Sequence, residues 1–249
     1  MTPGEAKSCV LLTGASSVIG SAIARALAAP GTALALHCHQ GIERTRELAR
    51  ELQTKGCTVE VFQSDLTEDN APEKLVRRVR ELLSAPTALV NNAGIVFGRA
   101  SSDELTTSAW RRTFKLNAEV PFFLAREVIP AMRSARFGRI VNISSIGVKY
   151  GGSATTLHYA ASKGALETYS GGLARQLAST GICVNVVRPG FTETGFHQDL
   201  DEEEIKARIG LIPIGRCIYP EETAAAVAYL LSPPAAAITG ETLTVAGGD

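Results

Sequence analysis

Residues 9–20 read Cys9-Val10-Leu11-Leu12-Thr13-Gly14-Ala15-Ser16-Ser17-Val18-Ile19-Gly20. A short apolar run ends in a glycine turn, and the turn runs into a helical pattern over Val18–Ala29. Glycine there lets backbone N–H groups approach a pyrophosphate, and the helix N-terminus adds a favourable partial charge. The same turn is also an ordinary use of glycine's backbone freedom, so its meaning depends on what surrounds it.

What surrounds it is a regular alternation. Strand-like apolar runs are Cys9–Thr13, Ala33–His37, Thr58–Gln63, Ala88–Asn91, Arg139–Ser144, Cys183–Arg188 and Thr242–Val245. Most are continuous in Val, Ile and Leu, which suits strands covered on both faces. Helical patterns lie between them over Val18–Ala29, Ile42–Lys55, Ala71–Ser84, Ala118–Arg133, Leu157–Ser179 and Pro220–Leu231. In the third of these, Leu75, Val76, Val79, Leu82 and Leu83 recur at helical spacing. Strand and helix alternating in this way imply right-handed crossovers and a parallel sheet with helices on both faces. The expectation is an α/β fold, a doubly wound, Rossmann-type parallel sheet of seven strands in one domain spanning 1–249. Such sheets bind ligands at the carboxyl ends of their strands.

Composition narrows the function classes. The 249 residues carry 25 Lys+Arg against 25 Asp+Glu, so there is no basic excess to offset nucleic-acid phosphates. With 45% hydrophobic residues the chain is too apolar for a disordered segment. No apolar run approaches the ~18 residues of a membrane span. No basic patch leads into a long apolar stretch at the N-terminus, so no secretory signal is visible and a cytoplasmic protein is expected. The cysteines Cys9, Cys38, Cys57, Cys183 and Cys217 are scattered, and with four histidines they form no metal-ligand spacing; reduced, packed thiols and no metal are expected.

Three further motifs follow the glycine turn. Tyr159-Ala160-Ala161-Ser162-Lys163 sets a phenol and an ammonium four residues apart, on one helix face. A nearby ammonium lowers a phenol's pKa, which proton exchange near neutrality requires. Asn142-Ile143-Ser144-Ser145-Ile146-Gly147 ends a strand, where a hydroxyl could hold a carbonyl oxygen beside the tyrosine. Asn91-Asn92-Ala93-Gly94 follows another strand. Each has a bland reading: exposed Tyr and Lys, serines satisfying their own backbone, a simple turn. Their joint occurrence in order overturns these.

Thr-Gly-x-x-x-x-Ile-Gly, Asp65, Asn-Asn-Ala-Gly, Asn117, Ser-Ser, Tyr-x-x-x-Lys and Pro189-Gly190 together resemble the short-chain dehydrogenase/reductase family. The resemblance runs from Cys9 to Gly248 and includes the tail Ile238-Thr239-Gly240-Glu241-Thr242-Leu243. It is greatest to 3-oxoacyl-carrier-protein reductases and related ketoreductases. Enoyl reductases of the superfamily use a wider Tyr–Lys spacing.

The resemblance implies roles. Tyr159 is the general acid/base, Lys163 bonds the nicotinamide ribose and lowers the Tyr pKa, and Ser145 holds the substrate oxygen. Asn117 holds a water linking Lys163 to solvent. Cofactor contacts fall on Gly14, Ser16, Ser17, Val18, Ile19, Gly20, His39, Asp65, Leu66, Asn91, Ala93, Gly94, Tyr159, Lys163, Pro189, Gly190, Thr192 and Thr194. Hydride passes between nicotinamide and carbonyl carbon while Tyr159 moves the proton. The expected enzyme is thus an oxidoreductase acting on a carbonyl or secondary alcohol, most readily reducing a 3-oxoacyl thioester or similar ketone. The alternatives are an NAD-dependent secondary-alcohol dehydrogenase and a non-catalytic cofactor sensor, which would be expected to lose Tyr, Lys or Ser.

The sequence departs from the family pattern in three places. Val18 replaces the middle glycine of the turn, and its Cβ narrows the approach to the pyrophosphate. Ser145 lies 14 residues before Tyr159, one more than the commonest spacing, and Ser144 lies 15 before; Ser145 is preferred as the second of the pair. The second strand ends His37-Cys38-His39-Gln40 without the acid that holds ribose hydroxyls in NAD enzymes. That absence favours NADP(H), with Arg44 or His39 as phosphate contacts, yet arginine is missing at 17 and 39, so NAD(H) stays open. The substrate lid is expected about 191–212, with Glu193, His197 and Asp199 followed by an acidic run, Asp201–Glu204, that suits a solvated helix N-terminus. An acyl carrier protein is an admissible partner: Arg136 matches one basic docking position, while Thr180 occupies the other. The glycine- and alanine-rich stretch Ala160–Ala174 resembles the close-packed face of a homotetramer or dimer. His158 is read as structural.

Overall fold

The computed structural model describes residues 9–192, 194 and 201–249. Seven parallel strands lie in one sheet in the order β3-β2-β1-β4-β5-β6-β7. They are β1 Cys9–Leu12, β2 Ala33–Cys38, β3 Thr58–Gln63, β4 Ala88–Asn91, β5 Gly138–Ile143, β6 Ile182–Pro189 and β7 Thr242–Val245. The helices are α1 Val18–Ala26, α2 Ile42–Thr54, α3 Ala71–Leu82, α4 Thr107–Phe114, α5 Val120–Ala135, α6 Gly147–Tyr150, α7 Leu157–Leu177, α8 Glu202–Gly210 and α9 Pro220–Leu231.

The apolar runs become strands for the reason their composition implies. Strands β1, β2, β4 and β5 are buried at every residue, whereas the edge strands β3 and β7 expose part of theirs. Alternate side chains of β1 serve two cores. Cys9 and Leu11 join Leu75, Val79, Leu124, Val128, Leu173 and Leu177, from α3, α5 and α7, on one face. Val10 and Leu12 join Ile23, Leu48, Leu52, Val227 and Leu230, from α1, α2 and α9, on the other. Each large aliphatic side chain so buried contributes about 1.5–3 kcal/mol against the entropy of ordering the chain. The doubly wound expectation therefore holds, with α4 and a π-helical turn at Lys115–Glu119 inserted ahead of α5.

The chain reverses its direction of winding between β1 and β4. The register Val10↔Ala88, Leu11↔Leu89 and Leu12↔Val90 sets the ends of these strands side by side. The crevice outside those ends is the place such sheets use for ligands. The segments holding the sequence-selected residues follow β1, β2, β3, β4, β5 and β6 at this same end. Among the described residues no helix is long and apolar enough to cross a membrane. Among them, too, no three His, Cys, Asp or Glu side chains gather as a metal site.

Candidate active site

The glycine turn is built to approach its neighbours closely. Gly14 has φ +68°, and a Cβ there would lie 2.9 Å from Asn92 Nδ2 and 3.0 Å from Ala93 Cα. A Cβ on Gly20 would lie 2.2 Å from Gly14 O. Ser17 caps α1: its Oγ accepts from Gly20 N at 3.0 Å and donates to Gly14 O at 2.8 Å. Such a cap stabilises a helix by about 1 kcal/mol. Val18, the first residue of α1, is 44% exposed, so its side chain displaces nothing in the core.

Asn92 laces this turn to the one after β4. Its Nδ2 donates to Thr13 O and Gly14 O, both at 3.0 Å. In return Thr13 Oγ1 accepts from Asn92 N at 3.1 Å and Ala93 N at 3.0 Å. Asn92 was seen in the sequence only as part of a turn; its clamp spans 78 residues and has no local signal.

Around the ends of β2 and β3 the groups are His37, His39, Arg44, Asp65 and Leu66. Asp65 feels burial, which raises its carboxyl. Two hydrogen bonds from Thr67 and the charges of His39 and Arg112 outweigh that and leave it below the usual range. His39 Nε2 sits 3.9 Å from Asp65 Oδ2. Leu66 is buried. Arg44 is exposed, and its guanidinium and Ser16 converge on Gly41: a Cβ there would lie 3.0 Å from both Arg44 Nη2 and Ser16 Cβ. His37 is buried, and its Nε2–H donates to Ser64 O at 3.0 Å, since a carbonyl only accepts. Its Nδ1 has no partner among the described residues, and burial drives the ring's pKa down to about 4.

At the ends of β4 and β5, Asn91 Nδ2 donates to Asn142 Oδ1 at 2.7 Å. Asn142 in turn donates to Ser170 Oγ at 2.8 Å. The buried Asn91 Oδ1 has no partner among the described residues.

The two serines separate cleanly. Ser145 Oγ hydrogen-bonds the Tyr159 side chain and accepts from Gly147 N at 3.1 Å. Ser144 Oγ instead donates to Glu167 Oε1 at 2.5 Å. Lys163, buried, donates from Nζ to Ile143 O at 2.7 Å and lies 5.9 Å from the Tyr159 ring centre. Burial pushes Tyr159 up to about 12, against the pull of the Ser145 hydrogen bond and the Arg99 charge. The phenol expected to be lowered by its neighbouring ammonium is thus raised, because withdrawal from water dominates. Burial lowers Lys163 to about 8, opposed by the Glu167 charge.

Asn117 lies in the π-helical turn Lys115–Glu119, where an extra residue per turn redirects the side chain. Its Oδ1 accepts from Ile95 N, and its Nδ2 donates to Ile95 O and Ser162 Oγ, all at 3.0 Å. A Cβ on Gly94 would lie 2.9 Å from Lys163 Nζ and 3.0 Å from Asn117 Oδ1, so Gly94 is where these two residues meet. His158 Nε2–H donates to Phe97 O at 3.0 Å, bracing the loop after β4.

Beyond β6, Gly190 N donates to Val245 O at 2.8 Å, and a Cβ on Gly190 would crowd Ala246 Cα at 2.7 Å. Thr192 Oγ1 donates to Gly190 O at 3.1 Å. Thr194 follows at the same end of the sheet, half-buried. Glu193, His197 and Asp199 lie outside the described residues. Asp201 and Glu204 form a reciprocal cap on α8 (2.8 and 2.9 Å), so these members of the acidic run do serve a helix N-terminus. Sequence reasoning missed Asn92, Glu167 and Arg188. Of these, Glu167 had a signal: it stands one helical turn beyond Lys163.

Known proteins share this architecture. Residues 14–249 match a family model described as Enoyl-(Acyl carrier protein) reductase. The chain is 34% identical over 242 residues to an uncharacterized oxidoreductase of Escherichia coli, covering 96% of this chain and 98% of that one. It is 35% identical over 242 residues to the 3-oxoacyl-[acyl-carrier-protein] reductase of Pseudomonas aeruginosa, covering 96% and 95%. A crystal structure from Beutenbergia cavernae, provisionally named an NAD(P) dependent gluconate 5-dehydrogenase and holding NADP at low occupancy, superposes with a TM-score of 0.90. That protein is 31% identical, and the match covers 98% of this chain and 97% of the other.

Proposed function

The chain belongs to the short-chain dehydrogenase/reductase family and is an oxidoreductase, and from that premise we propose that it uses NADP(H) to reduce a ketone, with a 3-oxoacyl thioester as the leading substrate. The observation that carries the reading is the meeting of Ser145, Tyr159 and Lys163 at the carboxyl end of the sheet, with Ser145 hydrogen-bonded to the phenol. At neutral pH a phenol pushed up to about 12 holds its proton, which is the form that gives a proton to a carbonyl oxygen. That proton is the one a reduction would draw on. Ser145 has a hydroxyl to offer the same oxygen as charge develops on it. The buried ammonium of Lys163 supplies positive charge beside both.

The residues fit a dinucleotide. Gly14 and Gly20 let the turn fold tightly against Asn92 and its own backbone at the N-terminus of α1, the kind of helix start that takes a pyrophosphate. Gly94 lets the loop after β4 come close to Lys163 and Asn117. When bound, the nicotinamide supplies the hydride; the protein supplies position and proton control. The last residues of β2 and the turn after it, His37–Gln40, include no acid to repel a 2′-phosphate, and Arg44 lies against Gly41 and Ser16 of the glycine turn. The family model's description speaks of enoyl reduction. The three-residue gap between Tyr159 and Lys163 instead resembles enzymes that act on C=O. Relatives named for carrier-protein substrates make a tethered acyl chain a reasonable form of the substrate.

The deciding experiment follows nicotinamide absorbance with NADPH or NADH against 3-oxoacyl thioesters, simple ketones and hydroxysteroids. Faster turnover of a 3-oxoacyl thioester with NADPH is expected. Equal efficiency with NADH would favour the NAD-dependent alcohol dehydrogenase reading. No consumption with any carbonyl or alcohol would favour a cofactor sensor.

Assembly and location complete the proposal. The exposed Trp110 and Phe122, with Tyr169, line an apolar hollow between α4, α5 and α7, which a second copy of the chain would cover. Light scattering should then report a dimer or tetramer, in a cytoplasmic protein.

A further inference from the structure

Behind the catalytic pair lies a charge pair that the reaction scheme does not use. Glu167 is four residues beyond Lys163 on α7, one turn along the same face. Its carboxylate takes three side-chain hydrogen bonds. Arg188, on β6, donates from Nε to Oε1 at 3.0 Å and from Nη2 to Oε2 at 2.5 Å. Ser144 donates to Oε1 at 2.5 Å. The Arg188 and Glu167 side chains are only 21% and 13% exposed, so the pair is poorly screened by water. Ser144 immediately precedes Ser145, whose hydroxyl meets Tyr159. One carboxylate thus holds the strand end that presents the serine and stands behind the lysine.

We propose that Glu167 is a positioning residue for the reaction: through Ser144 it fixes the end of β5 that presents Ser145 to Tyr159, and its charge keeps Lys163 an ammonium. The groups around Lys163 set the sign. On α7 these are Tyr159, neutral, and Glu167, while His158 is turned away to Phe97 O. On β6 the charged group is Arg188, and on the loop after β4 it is Arg99, which acts on Tyr159. The β5 end offers Ile143 O, Asn142, Ser144 and Ser145, and the π-helical turn offers Asn117; all are uncharged. Glu167 is therefore the anion of this group. Neutralising it removes the anion that acts on the buried ammonium, and the ammonium should lose its proton more readily.

For turnover, this inference rests on the function proposed above; for the charge of Lys163 it does not. The test therefore reads both. In protein carrying ¹³C-labelled lysine, the Lys163 signal is identified by its loss in Lys163→Arg and titrated by NMR. Glu167→Gln is expected to move its midpoint down by roughly one pH unit. The high-pH limb of kcat should move with it. Because Glu167→Gln strands Arg188, the double variant Glu167→Gln/Arg188→Met is measured too. It should recover the melting temperature and keep a smaller downward shift. A Lys163 midpoint in the double variant equal to the parent's would overturn the charge role. Ser144→Ala should lower kcat several-fold at unchanged KM, with the lysine titration unmoved. A parental kcat in Ser144→Ala would overturn the role played through the strand end. A parent protein inactive on every carbonyl defeats the earlier reading alone, and the lysine titration still decides this one.

Discussion

Asn92 Nδ2 donates to Gly14 O at 3.0 Å, so the loop after β4 holds the shape of the loop after β1. The bond crosses the point where the winding of the sheet reverses. A Cβ on Gly14 would fall only 2.9 Å from this donor. Replacing Asn92 by Ala removes the donor to Thr13 O as well. With the 3.3 Å bond to Ser17 Oγ the turn then loses three hydrogen bonds, each contributing about 1 kcal/mol at most. The expected result is a cofactor Kd weaker by roughly tenfold and a lower melting temperature, with kcat changed much less. Titration calorimetry with NADPH and a thermal melt measure both. Unaltered binding would show that the turn keeps its shape without the clamp.

Arg44 should govern the choice between the two dinucleotides. It is a solvent-exposed cation converging with Ser16 on Gly41, just after the end of β2, whose last residues His37–Gln40 include no acid. A guanidinium against a 2′-phosphate forms charge-assisted hydrogen bonds worth about 1.5–3 kcal/mol. Arg44→Ala should weaken NADPH by roughly tenfold or more and leave NADH within about twofold. His39→Ala should act in the same direction but less, because His39 also faces Asp65 at 3.9 Å. Equal losses for both cofactors would show that Arg44 shapes the loop and does not read the phosphate.

Val18 tests how far the glycine motif can vary. Its side chain is 44% exposed at the first position of α1, directly after the Ser17 cap that holds the helix start. Glycine there restores open space before the turn but loosens the helix, costing about half a kcal/mol. Val18→Gly should bind the cofactor a few-fold tighter and melt slightly lower. A Kd equal to the parent's would mark the position as neutral for the pyrophosphate.

The fold was legible because β1, β2, β4 and β5 are continuous apolar runs, and a run buried on both faces needs no alternation to be recognised. Helix α4 was not: of Thr107–Phe114 only Ala109, Trp110 and Phe114 are apolar, too few to mark a period. The site divides in the same way. Tyr159, Lys163 and Ser145 lie close in sequence and could be read as a group. Arg188 could not be joined to Glu167 without knowing that β6 lies beside β5. The Tyr159 proton was misjudged for a related reason. A neighbouring ammonium is visible in the sequence, whereas the burial that outweighs it is a property of the folded site.

The two serines differ in their partners. Ser145 reaches Tyr159, while Ser144 is committed to Glu167 at 2.5 Å. Removing a donor that meets developing oxyanion charge costs about 10²–10³ in kcat. Ser145→Ala should fall in that range at nearly unchanged cofactor affinity, and Ser144→Ala should stay well above it. Steady-state kinetics of the two variants separate them. Full activity in Ser145→Ala would assign the substrate oxygen to another group.

His37 should make the protein lose stability in mild acid. Its ring is buried at the end of β2, donating from Nε2 to Ser64 O, and it titrates at about 4 when folded. An unfolded histidine titrates near ~6.5. Between these values the unfolded chain carries a proton that the folded chain does not, so stability rises with pH there. The contribution is complete above about pH 6.5 and is lost as pH falls through 4, at about 1.4 kcal/mol per unit, a few kcal/mol in all. Carboxylates such as Asp65 add their own acid dependence, so the informative quantity is a difference. His37→Gln keeps an N–H for Ser64 O and cannot ionise. Urea midpoints of parent and variant, measured from pH 7 to pH 4, should diverge in slope, the parent falling faster. Parallel curves would mean that the His37 ring takes up its proton inside the folded protein at little cost.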